Sequence, residues 1–209
     1  MNRAQLRSAL VARLGIPSTG DGRITESVQN DCLNLALTDL AAGEHQWPWL
    51  LTTGDLTFTA GVAPMPTDPP VVHCRELFVN GRRARKASSL AELLDVGVDG
   101  SRCLWFYQGT NVVLAPAPSV QPTDGVLYYL QPEPELVADA QSPLVPAQFH
   151  NIVVARACYH AAVMKREWES AAQYNGEYEQ GLKRMAGSAR FTTGPRQIRT
   201  ASSTLWAVW

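Results

Sequence analysis

The sequence predicts an α+β protein: a helical bundle formed by the N- and C-terminal helices, an inserted antiparallel β subdomain, and an extended C-terminal arm. Three observations predict it. Apolar residues recur at helical spacing near the start of the chain and again after Pro143. Between them Thr, Val, Phe, Pro and Gly replace the helix formers, with the alternation of half-buried strands. Beyond Gly187 no period is sustained, and Gly194-Pro195 with a Ser/Thr cluster marks irregular chain. Neither pair of amphipathic helices buries its apolar face alone, so the two pairs pack together. The boundaries expected are 1–50 and 143–187 for the bundle, 51–142 for the β subdomain and 188–209 for the arm.

A first helix follows from Leu6, Leu10 and Leu14, with Val11 beside them and Gly15 before Pro17 as the stop. A second starts near Thr25, carries Val28, Cys32, Leu35, Ala36 and Leu40 on one face, and ends at Gly43. Trp47-Pro48-Trp49-Leu50 closes this part. Leu56 to Thr59 alternates as a strand. Asn80-Gly81, between Arg75–Val79 and Arg82–Lys86, predicts a type I′ hairpin, because that turn needs two positive φ angles. Ser88–Leu94 reads as a short helix, Cys103–Tyr107 and Val112–Leu114 as a second hairpin, and Val126–Leu130 as another strand. From Phe149 the pattern of Ile152, Val153, Ala157, Ala161 and Met164 is apolar nearly all round, which predicts a central helix. A last helix places Tyr174, Tyr178, Leu182 and Met185 on one face and stops at Gly187.

The chain has 209 residues, 45% hydrophobic and 18% charged, and a formal net charge of -1, which excludes wholesale disorder and a global attraction to polyanions. The charge is uneven. Lys183, Arg184, Arg190, Arg196 and Arg199 are followed or flanked by no acid to the end of the chain, which closes on Leu205-Trp206-Ala207-Val208-Trp209. Two tryptophans in such a segment are costly to leave in water, so the arm is expected to order by docking in a groove on a neighbouring subunit or partner, or to fold back on its own core. No secretory leader and no stretch of about 18 apolar residues is present, so neither a signal peptide nor a membrane span is expected. Cys32, Cys74, Cys103 and Cys158 are widely spaced and read as reduced, mostly buried thiols.

Candidate chemistry is sparse. His73, Cys74 and Cys103, or His150, Cys158 and His160, lack the four converging ligands of a zinc site and the base of a cysteine nucleophile, so no metal, cofactor or catalytic residue is assigned. Glu133, Glu135 and Asp139 read as solvated loop acids. A peptidoglycan hydrolase would need Glu26, Glu133 or Glu135 in a cleft with a second carboxylate. Arg82, Arg83, Arg85 and Lys86 invite two readings: phosphate contact, as in a nucleic-acid-binding module or DNA channel, or charges guarding an edge strand, the reading placed first.

The order of motifs resembles the tailed-bacteriophage head-to-tail adaptor (connector, or head-completion) family. It runs from Trp47-Pro48-Trp49-Leu50 through Met65-Pro66-Thr67-Asp68, Asn80-Gly81, Asn111–Pro118 and Val126–Tyr129 with Pro132, to Pro143-Leu144-Val145-Pro146 with Phe149-His150 and the closing helix pair. The resemblance implies a non-enzymatic structural protein of the virion neck, made in the bacterial host cytoplasm. It implies a homo-oligomeric ring, typically of twelve copies, that sits below the portal protein, extends the DNA channel and meets a downstream tail or neck protein, without membrane contact. By that analogy Leu205, Trp206, Val208 and Trp209 anchor the arm on the portal, Arg190, Arg196 and Arg199 guide it, and the bundle forms the ring wall. The alternatives from other classes are the tail-associated hydrolase and the nucleic-acid-binding module.

Overall fold

A computed structural model of the protein describes residues 1–42, 46–94, 103–117 and 123–192. They fall into two compact units, one of Met1–Trp49 with the chain from Glu133 onward, the other Leu50–Pro132. The fold is α+β, with five helices and a seven-stranded sheet among the described residues.

In the first unit, α1 (Arg3–Leu14) starts with a capping box, Asn2 and Gln5 each accepting the other's backbone N–H, and stops where Gly15 takes a φ of 64°. It buries Leu6 and Leu10. Helix α2 (Glu26–Ala42) follows Thr25, and Gly43, the expected stop, lies outside the described residues. Its buried stripe is Gln29, Cys32, Leu33, Ala36, Leu37 and Leu40. Leu35, expected on that stripe, is 42% exposed because Leu33 and Leu37 hold the inward positions. Trp47 donates from Nε1 to the Leu40 carbonyl at 2.8 Å and stacks on Trp49 at 4.8 Å. Trp49 in turn lies 6.2 Å from Phe149.

Helix α4 (His150–Lys165) buries residues on every side and packs against α1, α2 and α5. It ends at Arg166, in the left-handed region at φ 63°. Helix α5 (Trp168–Thr192) buries Ala171, Tyr178 and Met185, while Tyr174 and Leu182 are half-buried. It meets α4 at Gly181, where a Cβ would lie 2.7 Å from Ile152 Cγ1. The expected stop at Gly187 is not one, since α5 runs on to Thr192 and takes in the first residues assigned to the arm. A lone helix-interior glycine costs only about 1 kcal/mol, which flanking helix formers absorb.

The segment 133–142 is held by the helices, not by the strands with which the sequence groups it. Asp139 pairs with Arg3 Nη2 at 2.7 Å and Arg7 Nη1 at 3.1 Å, and the Leu136 N–H donates to Asn34 Oδ1 at 3.0 Å.

In the second unit the strands are β1 (Leu51–Phe58), β2 (Val62–Pro64), β3 (His73–Val79), β4 (Arg82–Lys86), β5 (Leu104–Gln108), β6 (Asn111–Ala115) and β7 (Thr123–Leu130). They lie in the order β1-β7-β3-β4-β5-β6-β2, with β1 and β2 meeting again at an antiparallel Thr59–Val62 bridge. The Asn80-Gly81 hairpin is present with φ of 50° and 74°, the two positive angles that the turn demands. The hairpin of β5 and β6 is also present. The subdomain is not wholly antiparallel, because β4 pairs with β5 in parallel at Arg85–Leu104 and Lys86–Trp105, joined by the connection through α3 (Leu90–Leu94). The β1–β2 turn, Ala60-Gly61, was not legible as a hairpin. Ala60 takes a φ of 51°, which nothing in an alanine signals. Alternate residues of the strands, Leu56, Phe58, Leu77, Trp105, Leu127 and Tyr129 among them, fill one core.

Candidate partner and channel surfaces

In strand β4 Ala84 is buried in the core while Arg82, Arg83, Arg85 and Lys86 are all exposed. It is not an edge strand: β3 flanks it on one side and β5 on the other. The edge-strand reading of its charges therefore does not hold, since β4 pairs with β3 at Arg82–Ala84 and with β5 at Arg85 and Lys86. Arg83 Nη2 reaches Glu76 Oε1 at 2.7 Å, and Arg85 Nη2 reaches Glu92 Oε1 at 2.6 Å. Glu92 also accepts from the Ser88 N–H and hydroxyl, and these bonds, ahead of the Arg85 charge, keep its carboxyl below the ordinary range. The Lys86 ammonium lies 4.8 Å from the Tyr107 ring centre and 5.5 Å from that of Trp105. Arg75, Glu76, Arg83, Arg85, Lys86 and Trp105 line a shallow cavity of about 290 Å³. Two of the four bases are thus tied to carboxylates and one rests on aromatic faces, which fixes a ridged, net positive surface.

Of the acids that hydrolysis would use, Glu133 and Glu135 line one groove together with Asp31, and Glu26 is not among its lining residues. Glu26 pairs with Arg7 Nη1 at 2.8 Å. Glu135 accepts from Asn34 Nδ2 at 3.3 Å and stays exposed. Glu133 is no solvated loop acid: its Oε1 accepts the Leu144 N–H and its Oε2 is buried without a partner. Burial pushes its carboxyl up to about 7, against the pull of the Leu144 and Val145 N–H groups. Glu133 pins the turn before α4. A groove of about 390 Å³ runs between α2 and residues 133–135, with Asp31, Leu35, Pro134 and Glu135 along it.

The histidines and cysteines have structural surroundings. His150 Nε2 donates to the Val145 carbonyl at 2.8 Å, and Cys158 is fully buried, which pushes its thiol up to about 12. Cys32 is likewise pushed up to about 11 by burial. His160 Nε2 and Arg156 Nε share Asp39 Oδ2 at 2.9 and 2.6 Å, Arg156 Nη1 donates to Asn175 at 2.7 Å, and the guanidinium sits over the Tyr159 and Tyr178 rings. This network ties α2, α4 and α5 together. Sequence reading missed it, because Asp39, Arg156 and Asn175 carry no local pattern. Among the described residues no three His, Cys, Asp or Glu converge as a metal site, and no helix is long and apolar enough to cross a membrane.

Of the arm residues, Arg190 falls in the last turns of α5, whereas Arg196, Arg199, Leu205, Trp206, Val208 and Trp209 lie outside the described residues.

For this α+β chain the match to known families is decisive. The family profile described as SU10 adaptor protein matches residues 1–200. The chain belongs to that family. The family is one of phage head-tail adaptors, so this adaptor is a phage structural protein. Membership implies a place in the virion neck, oligomerisation, and contact with portal and tail proteins. No curated protein matches the adaptor's sequence. The last nine residues, with both terminal tryptophans, lie beyond the matched stretch.

Proposed function

We propose that the adaptor forms a ring below the portal, extends the DNA channel toward the tail, and docks on the portal through its C-terminal arm. The helices α1, α2, α4 and α5 act as a bundle that forms the ring wall, the β unit of residues 50–132 serves as an inserted domain, and the arm takes over after α5. The observation that carries this reading is the pairing of a family match over residues 1–200 with a chain end that holds bases, two tryptophans and no acid. Leu205, Trp206, Val208 and Trp209 then supply aromatic and aliphatic anchors, and Arg190, Arg196 and Arg199 the charges that orient them. Repeated around a ring of about twelve copies, a modest arm contact gains avidity without any single tight contact.

Native mass of the adaptor, alone and mixed with the portal ring of the same phage, tests the reading. The full chain is expected to load onto the portal as a ring, and a chain cut after Thr192, where α5 ends, is expected to stay free. Equal loading by both removes the arm from the proposal, and loading by neither removes portal docking.

The exposed Arg82, Arg83, Arg85 and Lys86 support DNA contact inside the assembled channel as the second part of the same reading. Replacing all four by Ala is expected to leave ring loading intact and to flatten the salt dependence of DNA retention. An unchanged salt slope rejects channel contact by β4.

A further inference from the structure

We propose that, before a partner takes it, the adaptor's own C-terminal segment 193–209 rests in the groove between α2 and residues 133–135. The inference rests on the arm reading above and adds where the arm is kept until it is used.

The groove and the segment are complementary in charge and in apolar surface. Asp31 and Glu135 line the groove with exposed side chains, beside Glu133, and no Lys or Arg does. Leu35 is 42% exposed along it, Pro134 is exposed beside it, and Val137, close by in sequence, is 70% exposed. The segment carries Arg196 and Arg199 with no acid and ends on Leu205-Trp206-Ala207-Val208-Trp209. Bases can meet the acids while the aromatic end covers the exposed aliphatic side chains, which removes apolar area from water on both sides.

The reach suffices. Seventeen residues follow Thr192, and an extended chain of that length spans up to about 60 Å, against about 37 Å for the whole of α5 at helical rise. Helix α5 packs on α4, and α4 on α2, so the segment starts from the same unit that holds the groove. The chain's own segment is favoured over that of a second copy by effective concentration, which tethering through this length of chain sets near the millimolar range.

The test is cross-linking in the full chain. Leu35→Cys with Val208→Cys keeps both terminal tryptophans and the groove acids; Met164→Cys with Val208→Cys places the first thiol at another exposed position, 48% exposed on α4. Of the native thiols, Cys32, Cys74 and Cys158 are buried. Under mild oxidation the 35–208 pair is expected to close within a single chain about tenfold faster than the 164–208 pair. Glu135→Lys with Asp31→Lys added is expected to abolish that preference. Cross-links only between chains assign the groove to a second copy's segment, and equal rates for the two pairs mean no docking; either result overturns the inference. Portal loading is read separately on the uncross-linked full chain. Loading without preferential cross-linking defeats this inference alone, and preferential cross-linking without loading defeats the portal reading alone.

Discussion

At the scale of single residues, Glu133 and Asp39 do opposite things with a charge. Glu133 is a carboxyl whose neutral form the fold prefers, since its value rises from 4.5 to about 7 through burial. The sign follows from linkage: the stability it lends is fully present below about pH 4.5 and is lost as pH rises through about 7. Glu133→Gln keeps the acceptor for the Leu144 N–H and removes the ionisation, so it is expected to be as stable as the parent near pH 5 and more stable by on the order of 1 kcal/mol near pH 8, after allowance for partial solvent screening. Urea midpoints at the two pH values check this, and a midpoint difference that does not grow with pH refutes it. Asp39 instead balances a guanidinium whose side chain is only 19% exposed. Asp39→Ala leaves Arg156 without its carboxylate in a half-closed site and is expected to cost about 2–3 kcal/mol; a loss below about 0.5 kcal/mol would show that Asn175 and the two tyrosine rings suffice. Neither behaviour was legible in the sequence. The partners of Asp39, Arg156 and His160, lie more than a hundred positions away in α4, and an acid among prolines gives no hint that the turn folds over it.

At the scale of elements, what the sequence disclosed were local devices. Asn80-Gly81 announces its hairpin because two consecutive positive φ angles suit few residue pairs. The apolar ring around α4 announces a helix buried on all sides. What it hid was set by non-local pairing or by tolerance. The place of β4 between β3 and β5 depends on a parallel pairing made after α3, and Leu35 competes for an inward position that the helical period alone leaves ambiguous. The same reasoning separates two glycines of α5. Nothing lies within 4 Å of a Cβ at Gly176, so Gly176→Ala is expected to stabilise by about 0.5–1 kcal/mol through helix propensity. At Gly181 the new methyl meets the β-branched Ile152 at 2.7 Å, which is stiff, so Gly181→Ala is expected to destabilise by about 1–2 kcal/mol despite the same propensity gain. Thermal unfolding of the two variants should move in opposite directions; a shift of the same sign in both would mean that α4 and α5 do not meet at Gly181 as described.

At the scale of the whole molecule, the bases of β4 and of the chain end were legible by residue type, since charge is read straight off the sequence. The groove beside α2 was not, because it arises from residues about a hundred positions apart. If the segment 193–209 acts as a docking arm, its removal is expected to shift the urea midpoint by less than about 1 kcal/mol equivalent, while abolishing portal loading; a large loss of stability would mean the segment is part of the core.

The packing of α1 and α2 on α4 also sets a timetable for the ribosome. Helix α2 is complete at Ala42, yet the helix that covers its apolar stripe ends only at Lys165. At about 5–20 residues per second that interval lasts on the order of ten seconds. During it the strands of residues 50–132, whose pairings are all among themselves, can close, while the nascent N-terminal helices keep Leu6, Leu10, Leu33 and Leu37 open to any chaperone that binds aliphatic side chains.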